Sequence, residues 1–258
     1  MPPFREETMQ ALRRLWQKTG LGRARQAWGL APSGRAWALV GLSCQSANLW
    51  RVHASSVLIP PPSSSQLDAA WLCQALAAAS HPSRFTRQPL SMSLPAGDVV
   101  TGRMVCPLQL PEQDWPAEVQ LEVAEALKLP PEAVFFDFAP LVHGLSGPSH
   151  IQWVGCARSV VLQHQQWIRD SRIWRLACVE PEMDALRRAA QALLGGLPSL
   201  LKQAPQDWQF RWPPEPVAAL GSTEFGVGAQ SEDALRATLT SPAGPRLVAA
   251  GLALKACI

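Results

Sequence analysis

Residues 91–140 read SMSLPAGDVV TGRMVCPLQL PEQDWPAEVQ LEVAEALKLP PEAVFFDFAP, and their punctuation spells strand, turn, strand, helix, strand. Met92 and Leu94 belong to a short apolar run that Pro95, Ala96, Gly97 and Asp98 break as a turn. From Val99 to Leu108, β-branched and apolar residues recur, which predicts a second strand. Asp114 suits the N-cap of a helix, and Pro116 falls in its first turn, where a missing N–H costs little. Trp115, Val119, Val123 and Leu127 then repeat on one helical face. Pro130 and Pro131 end that helix, and residues 134–138 read as a buried strand.

Upstream, residues 36–42 and 48–59 read as two antiparallel strands joined through 43–47. Before them, residues 1–35 read as a basic N-terminal arm. They hold seven basic residues against Glu6 and Glu7, a net of +5 that leaves −2 for the rest of a chain of net +3. Met9, Leu12, Leu15 and Trp16 give the arm a short apolar stripe, so it reads either as an amphipathic helix for an anionic surface or as a solvated extension. A stiff run of prolines and serines at 60–65 leads to a helix on Leu67, Trp71, Ala75 and Ala78, opened by a Ser65–Asp68 capping pair.

Downstream, residues 143–150 (HGLSGPSH) read as a loop. Their two histidines and serine lack the strand–nucleophile–helix context of a hydrolase elbow. Strand 151–157, helix 159–170, strand 174–179 and helix 182–194 follow, the alternation of a βαβ unit with a parallel sheet. Between 195 and 245 the chain is rich in Pro and Trp, with short strands expected at 208–212 and 217–220. Gly226-Val227-Gly228 is a lone Gly-x-Gly, a weak phosphate cradle. Residues 244–256 close the chain as an apolar helix.

Composition narrows the function. At 47% hydrophobic and 17% charged, 258 residues build a sizeable core. A net charge of +3 does not predict nucleic-acid binding. The six cysteines form no CxxC pair and lie mostly in apolar runs, where Cys acts as a small core residue. Five histidines make no HExxH-type spacing, so no metal site is expected. With no secretory signal and no apolar run of membrane-spanning length, a reducing, cytoplasmic setting is expected.

The ordered set Leu94-Pro95, strand 99–108, acidic helix with Glu118, Glu122 and Glu125, Pro130, and Asp137-Phe138 resembles PilM, the actin-like protein of type IV pilus assembly. Gly155-Cys156-Ala157-Arg158, residues 179–186 (VEPEMDAL) and the Gly-Leu-Ala-Leu run at 251–254 extend the resemblance, which spans roughly residues 36–190 and 245–257. Its implied fold is α/β, a reduced actin-like (ribonuclease H-like) fold with an inserted βαβ subdomain and a vestigial second domain. The implied division is an arm at 1–35, actin-like segments at 36–98 and 142–194, an inserted subdomain at 99–141, a reduced second domain at 195–244 and a closing helix at 245–258 that returns to the first domain.

The resemblance also implies a function: a non-catalytic scaffold of a shortened, HofM-like type, in the inner-membrane assembly complex of a type IV pilus or DNA-uptake machine. It would bind the N-terminal cytoplasmic peptide of a PilN-like membrane protein, at the cytoplasmic face of the bacterial inner membrane. Membrane association would then be peripheral, through that partner and with help from the basic arm. In actin-like ATPases the first hairpin carries D-x-G-[ST]. Here the run 41–48 puts Ser43 at the Asp position, Gln45 at the Gly position and Ser46 beside them, a degenerate nucleotide loop, so no cofactor is expected. The expected peptide groove lies between that hairpin and the inserted subdomain, with Leu49, Trp50 and Val52 on one wall and Met104, Phe136 and Phe138 on the other. Two alternatives stay open: an ATPase of the same superfold that still binds ATP and Mg, and a cytoplasmic adaptor of type II secretion.

Overall fold

Small residues mark the strand on which the large sheet is built. In the computed structural model, which describes residues 26–46, 48–61, 69–79, 87–106, 110–141, 149–169, 171–213 and 231–256, β1 runs Gln26–Ser33 and lies inside the sheet. It was expected to be part of the arm. Its alternate residues Ala27, Gly29 and Ala31 face the closing helix, α6 (Gly244–Lys255). A Cβ on Gly29 would strike the carbonyl of Ala249, so the helix sits directly on the strand backbone. Trp28 and Leu30 point the other way into a second core. Pro32 is tolerated because β4 (Gln88–Leu94) pairs only with Trp28 to Leu30, leaving Pro32 with no strand to serve on that side.

The sheet order is β8-β4-β1-β2-β3-β9. Strands β2 (Ala36–Ser46) and β3 (Leu49–Leu58) follow β1 as antiparallel hairpins, and the first hairpin turns through Gly34 at φ 62°. β4 is parallel to β1, and β8 (Trp174–Pro181) is parallel to β4. Helices α4 (Glu182–Ala192) and α6 cover one face, and α1 (Ala69–Ala79) and α3 (Arg158–Arg169) cover the other. Gly251 of α6 faces the backbone of Ala185 in α4, which lets the two helices touch along small residues. This mixed sheet between helix layers is the α/β class that the sequence suggested.

Between β4 and β8 the chain builds a second, smaller sheet. β5 (Val99–Cys106), α2 (Trp115–Leu127), β6 (Val134–Leu141) and β7 (Ser149–Ala157) give the order β5-β7-β6, antiparallel throughout. The expected βαβ is therefore split, with β7 inserted between its two strands. The subdomain continues past residue 141, because its central strand is 149–157. Strand β7 was expected to start a parallel unit with β8. It pairs instead with β5 and β6, and α3 carries the chain from the small sheet back to the large one. One face of the small sheet packs on α2 through Val119, Val123, Ile151 and Trp153. Gly102 and Gly155 leave room there for the Trp153 ring and for Val123. Asp114 stands at the N-cap of α2, but its side chain makes no capping hydrogen bond.

The described part of 195–244 does not stand apart from the large sheet. β9 (Gln209–Arg211) adds to β3, with Trp50 opposite Phe210, and Trp208 and Phe210 enter the core under α4 and α6. Helix α5 (Glu232–Leu239) inserts Leu235 into the same core, capped by the Ser231 hydroxyl, which accepts from the Ala234 N–H. The Gly-x-Gly at 226–228, the strand expected at 217–220, the loop at 143–148, the Ser65–Asp68 capping pair and most of the arm (1–25) lie outside the described residues.

Candidate functional site

The six residues expected to line one groove fall in two separate sheets. Trp50 and Val52 are buried under α4 and α6, and the Trp50 indole donates to the carbonyl of Trp212 at 2.9 Å. Leu49 is half-buried at the start of β3. Met104, Phe136 and Phe138 pack against the core of α2 in the small sheet. β3 lies at the far side of the large sheet, with β2 and β1 between it and the β4 and β8 strands that carry the small sheet. The run Val134 to Phe138 shows why the choice between faces fails in sequence. It offers apolar side chains to both faces, and a shift of one residue exchanges them. Val134, Phe136 and Phe138 take the helix side, while Phe135 takes the open side and is 37% exposed.

That open side forms a cleft. The uncovered face of the small sheet stands opposite the C-terminal ends of β4 and β8, with α3 and α4 closing the flanks. The cleft is open to solvent and has a volume of about 570 Å³. Val99, Phe135 and Val154 form one wall, Val161 a flank, and Leu94 and Val179 the other wall. Phe136, of the expected set, also borders the cleft although its ring is packed on α2. The alternation Phe135, Asp137 on β6 with Val154, Cys156 on β7 was the sequence signal for this wall, and it needed the α2-facing register to be read. The Arg158 guanidinium lies 5.1 Å from the centre of the Phe135 ring, which holds that ring at the rim.

The floor is charged and rigid. Arg188 reaches Glu180 through two hydrogen bonds of 2.5 and 2.7 Å and also donates to the Gly251 carbonyl at 2.9 Å. Both side chains are nearly buried, at 12% and 9% exposed, so the pair fixes β8, α4 and α6 as one block. The Glu182 carboxylate accepts from the Ala96 N–H at 3.0 Å, which ties the entry of the small sheet to the start of α4. Cys156 and Cys178 line the cleft as well. Burial pushes both thiols up, helped by Asp98 at Cys156 and Glu180 at Cys178. Protonated thiols are poor nucleophiles, so these act as apolar lining. Among the described residues no cluster of three or more His, Cys, Asp or Glu is placed to hold a metal ion.

The expected nucleotide-loop residues lie elsewhere. Ser43, Gln45 and Ser46 end β2 in the second hairpin, and the Gln45 amide donates to the Ser43 hydroxyl at 3.2 Å. The first hairpin of the sheet is β1–β2, whose chain reads Ala31-Pro32-Ser33-Gly34-Arg35. Among the described residues no helix is long and apolar enough to cross a membrane.

No family model and no curated protein matches the chain. Among solved structures it is similar to a PilM–PilN type IV pilus biogenesis complex, at 18% identity and TM-score 0.48, over 67% of this chain and 54% of that one. It is similar to the cytoplasmic domain of EpsL, an inner-membrane component of the type II secretion system of Vibrio cholerae. That match has 13% identity and TM-score 0.44, over 62% of this chain and 58% of that one. A third match is a Bacteroides thetaiotaomicron protein with an actin-like ATPase fold and unknown function, at 11% identity and TM-score 0.33, over 66% and 60% of the two chains. The chain thus spans 54% to 60% of the length of these structures.

Proposed function

We propose that this chain is a non-catalytic scaffold of a type IV pilus or DNA-uptake assembly complex. It binds the N-terminal cytoplasmic peptide of a PilN-like membrane protein, and works at the cytoplasmic face of the inner membrane. The observation that carries the reading is the cleft: a slot of about 570 Å³ between two sheets, with apolar walls and a charged floor fixed by the Glu180–Arg188 pair. A slot of this shape suits an extended apolar peptide, whose alternate side chains enter pockets while its main chain bonds to a sheet edge. The identity of the peptide comes from the sequence resemblance. The non-catalytic reading is supported by the first hairpin, where Ala31 to Arg35 contains no Asp to place a metal and no paired glycines to cradle a phosphate.

Calorimetric titration tests both halves. The chain is titrated with a synthetic N-terminal peptide of the PilN-like protein and, separately, with MgATP. Binding of the peptide, abolished by Val154→Glu in the cleft wall, together with no heat from MgATP, is the expected result. Tight MgATP binding without peptide binding would make the chain a nucleotide-binding protein and overturn the proposal.

A further inference from the structure

The cleft does not end where its apolar walls end. β8 is the last strand of the large sheet, and among the described residues no strand pairs with its outer edge. Its C-terminal half, Cys178 to Pro181, lines the apolar cleft, and its N-terminal half, Trp174 to Leu176, lines a second concavity of about 600 Å³ beside α3. Gln165 of α3 borders both, so the two adjoin as a trough beside β8. Eight residues of strand make that edge about 26 Å long.

The two ends of the trough differ in charge. The apolar cleft carries Asp137, Glu180 and Asp184 against Arg188 and Lys255. The second concavity has an apolar floor of Ile168, Trp174 and Leu176 and is bordered by Arg87, Arg169 and Arg175, with no carboxylate among its lining residues. Arg87 and Arg175 are exposed, and among the described residues no ion pair joins either to a carboxylate. Charges on an edge strand also deter unwanted pairing. That task is served by charges of either sign, spread along the edge. Here Arg87 and Arg175 border a concave, apolar-floored end, the arrangement that complements a carboxylate-bearing segment. Concavity favours a peptide over a flat bilayer, which cannot enter a trough.

We propose that the trough takes an extended segment of two chemistries, an apolar half in the cleft and an acidic half against Arg175 and Arg87, added as a strand to the open edge of β8. This rests on the peptide-binding reading above and specifies its partner. The test is selection of a randomised 12-residue displayed peptide library on the full chain at low salt. Recovered peptides are expected to carry two or more Asp or Glu on one side of an apolar stretch. A recovered peptide, synthesised, is expected to lose at least tenfold in affinity on Arg87→Glu with Arg175→Glu, and to regain it when its own acids become Lys. Indifference of the recovered peptides to that double substitution, with sensitivity to Val154→Glu, overturns the acidic half and leaves the cleft reading standing. Sensitivity to neither, or recovery of no binder, overturns both. Thermal unfolding of each variant checks that its fold is intact.

Discussion

The two sheets are covered differently. The large sheet is buried on both faces, by α4 and α6 on one side and by α1 and α3 on the other. The small sheet is buried on one face only, by α2. In the inner strands β1 and β4 nearly every side chain is buried, which leaves few positions free for chemistry. A strand covered once keeps alternate residues for a partner. The binding surface therefore falls to the uncovered face, and the same difference predicts how each region responds to substitution.

The largest effect belongs to the doubly covered sheet. Gly29→Val raises strand propensity but drives a side chain into the Ala249 carbonyl, so we expect a loss of about 4 kcal/mol or more. A stabilised variant in urea unfolding would mean that α6 does not rest on β1. Next comes Trp153→Ala in the small sheet, at about 3 kcal/mol. Hydrogen exchange sharpens the comparison here. Protection should fall in β5, β6 and β7 and survive in β1, β2 and β4, whereas uniform loss would make the two sheets one cooperative unit.

At the junction, Arg188→Met leaves Glu180 buried without its partner and should cost about 3 kcal/mol. Adding Glu180→Leu should recover most of that loss, and a double variant no better than the single one would remove the pair from the account. On the open face Phe135→Ser should change stability by less than about 1 kcal/mol while weakening peptide binding about tenfold. Equal effects on both measurements would mean that Phe135 is core.

What could be read from the sequence follows the same division. Helix α2 was legible because Trp115, Val119, Val123 and Leu127 face one core and solvent takes the rest. β1 was not, because contact with α6 requires Ala27, Gly29 and Ala31 where strand patterns lead one to seek β-branched residues. Missing it displaced the first hairpin by one, and with it the place where a nucleotide loop is sought. β7 was recognised as a strand but assigned to the wrong sheet, since its apolar run is compatible with either neighbour and pairing is set by the chain around it. The cleft residues stayed hidden because Phe135 and Phe136 differ only in register.

The smallest effect concerns a polar group caught beneath the complete cover of the large sheet. His164 of α3 is 3% exposed, and its Nδ1 lies 2.8 Å from the Val160 carbonyl, 4.6 Å separating its ring from that of Trp167. Burial lowers its pKa below the usual 6.5, although the Val160 carbonyl and Asp98 pull the other way. The folded chain therefore holds a neutral imidazole at a pH where the unfolded chain has begun to take up a proton. This contribution to stability is intact above 6.5 and is lost as pH falls from there toward the depressed folded value. His164→Phe keeps a ring beside Trp167 and removes the proton site. Urea unfolding of both chains at pH 7.5 and pH 5 should show the variant gaining on the parent only at the lower pH. Parallel stability curves would mean that water reaches the imidazole, and that the cover of α3 over this sheet is looser than its packing indicates.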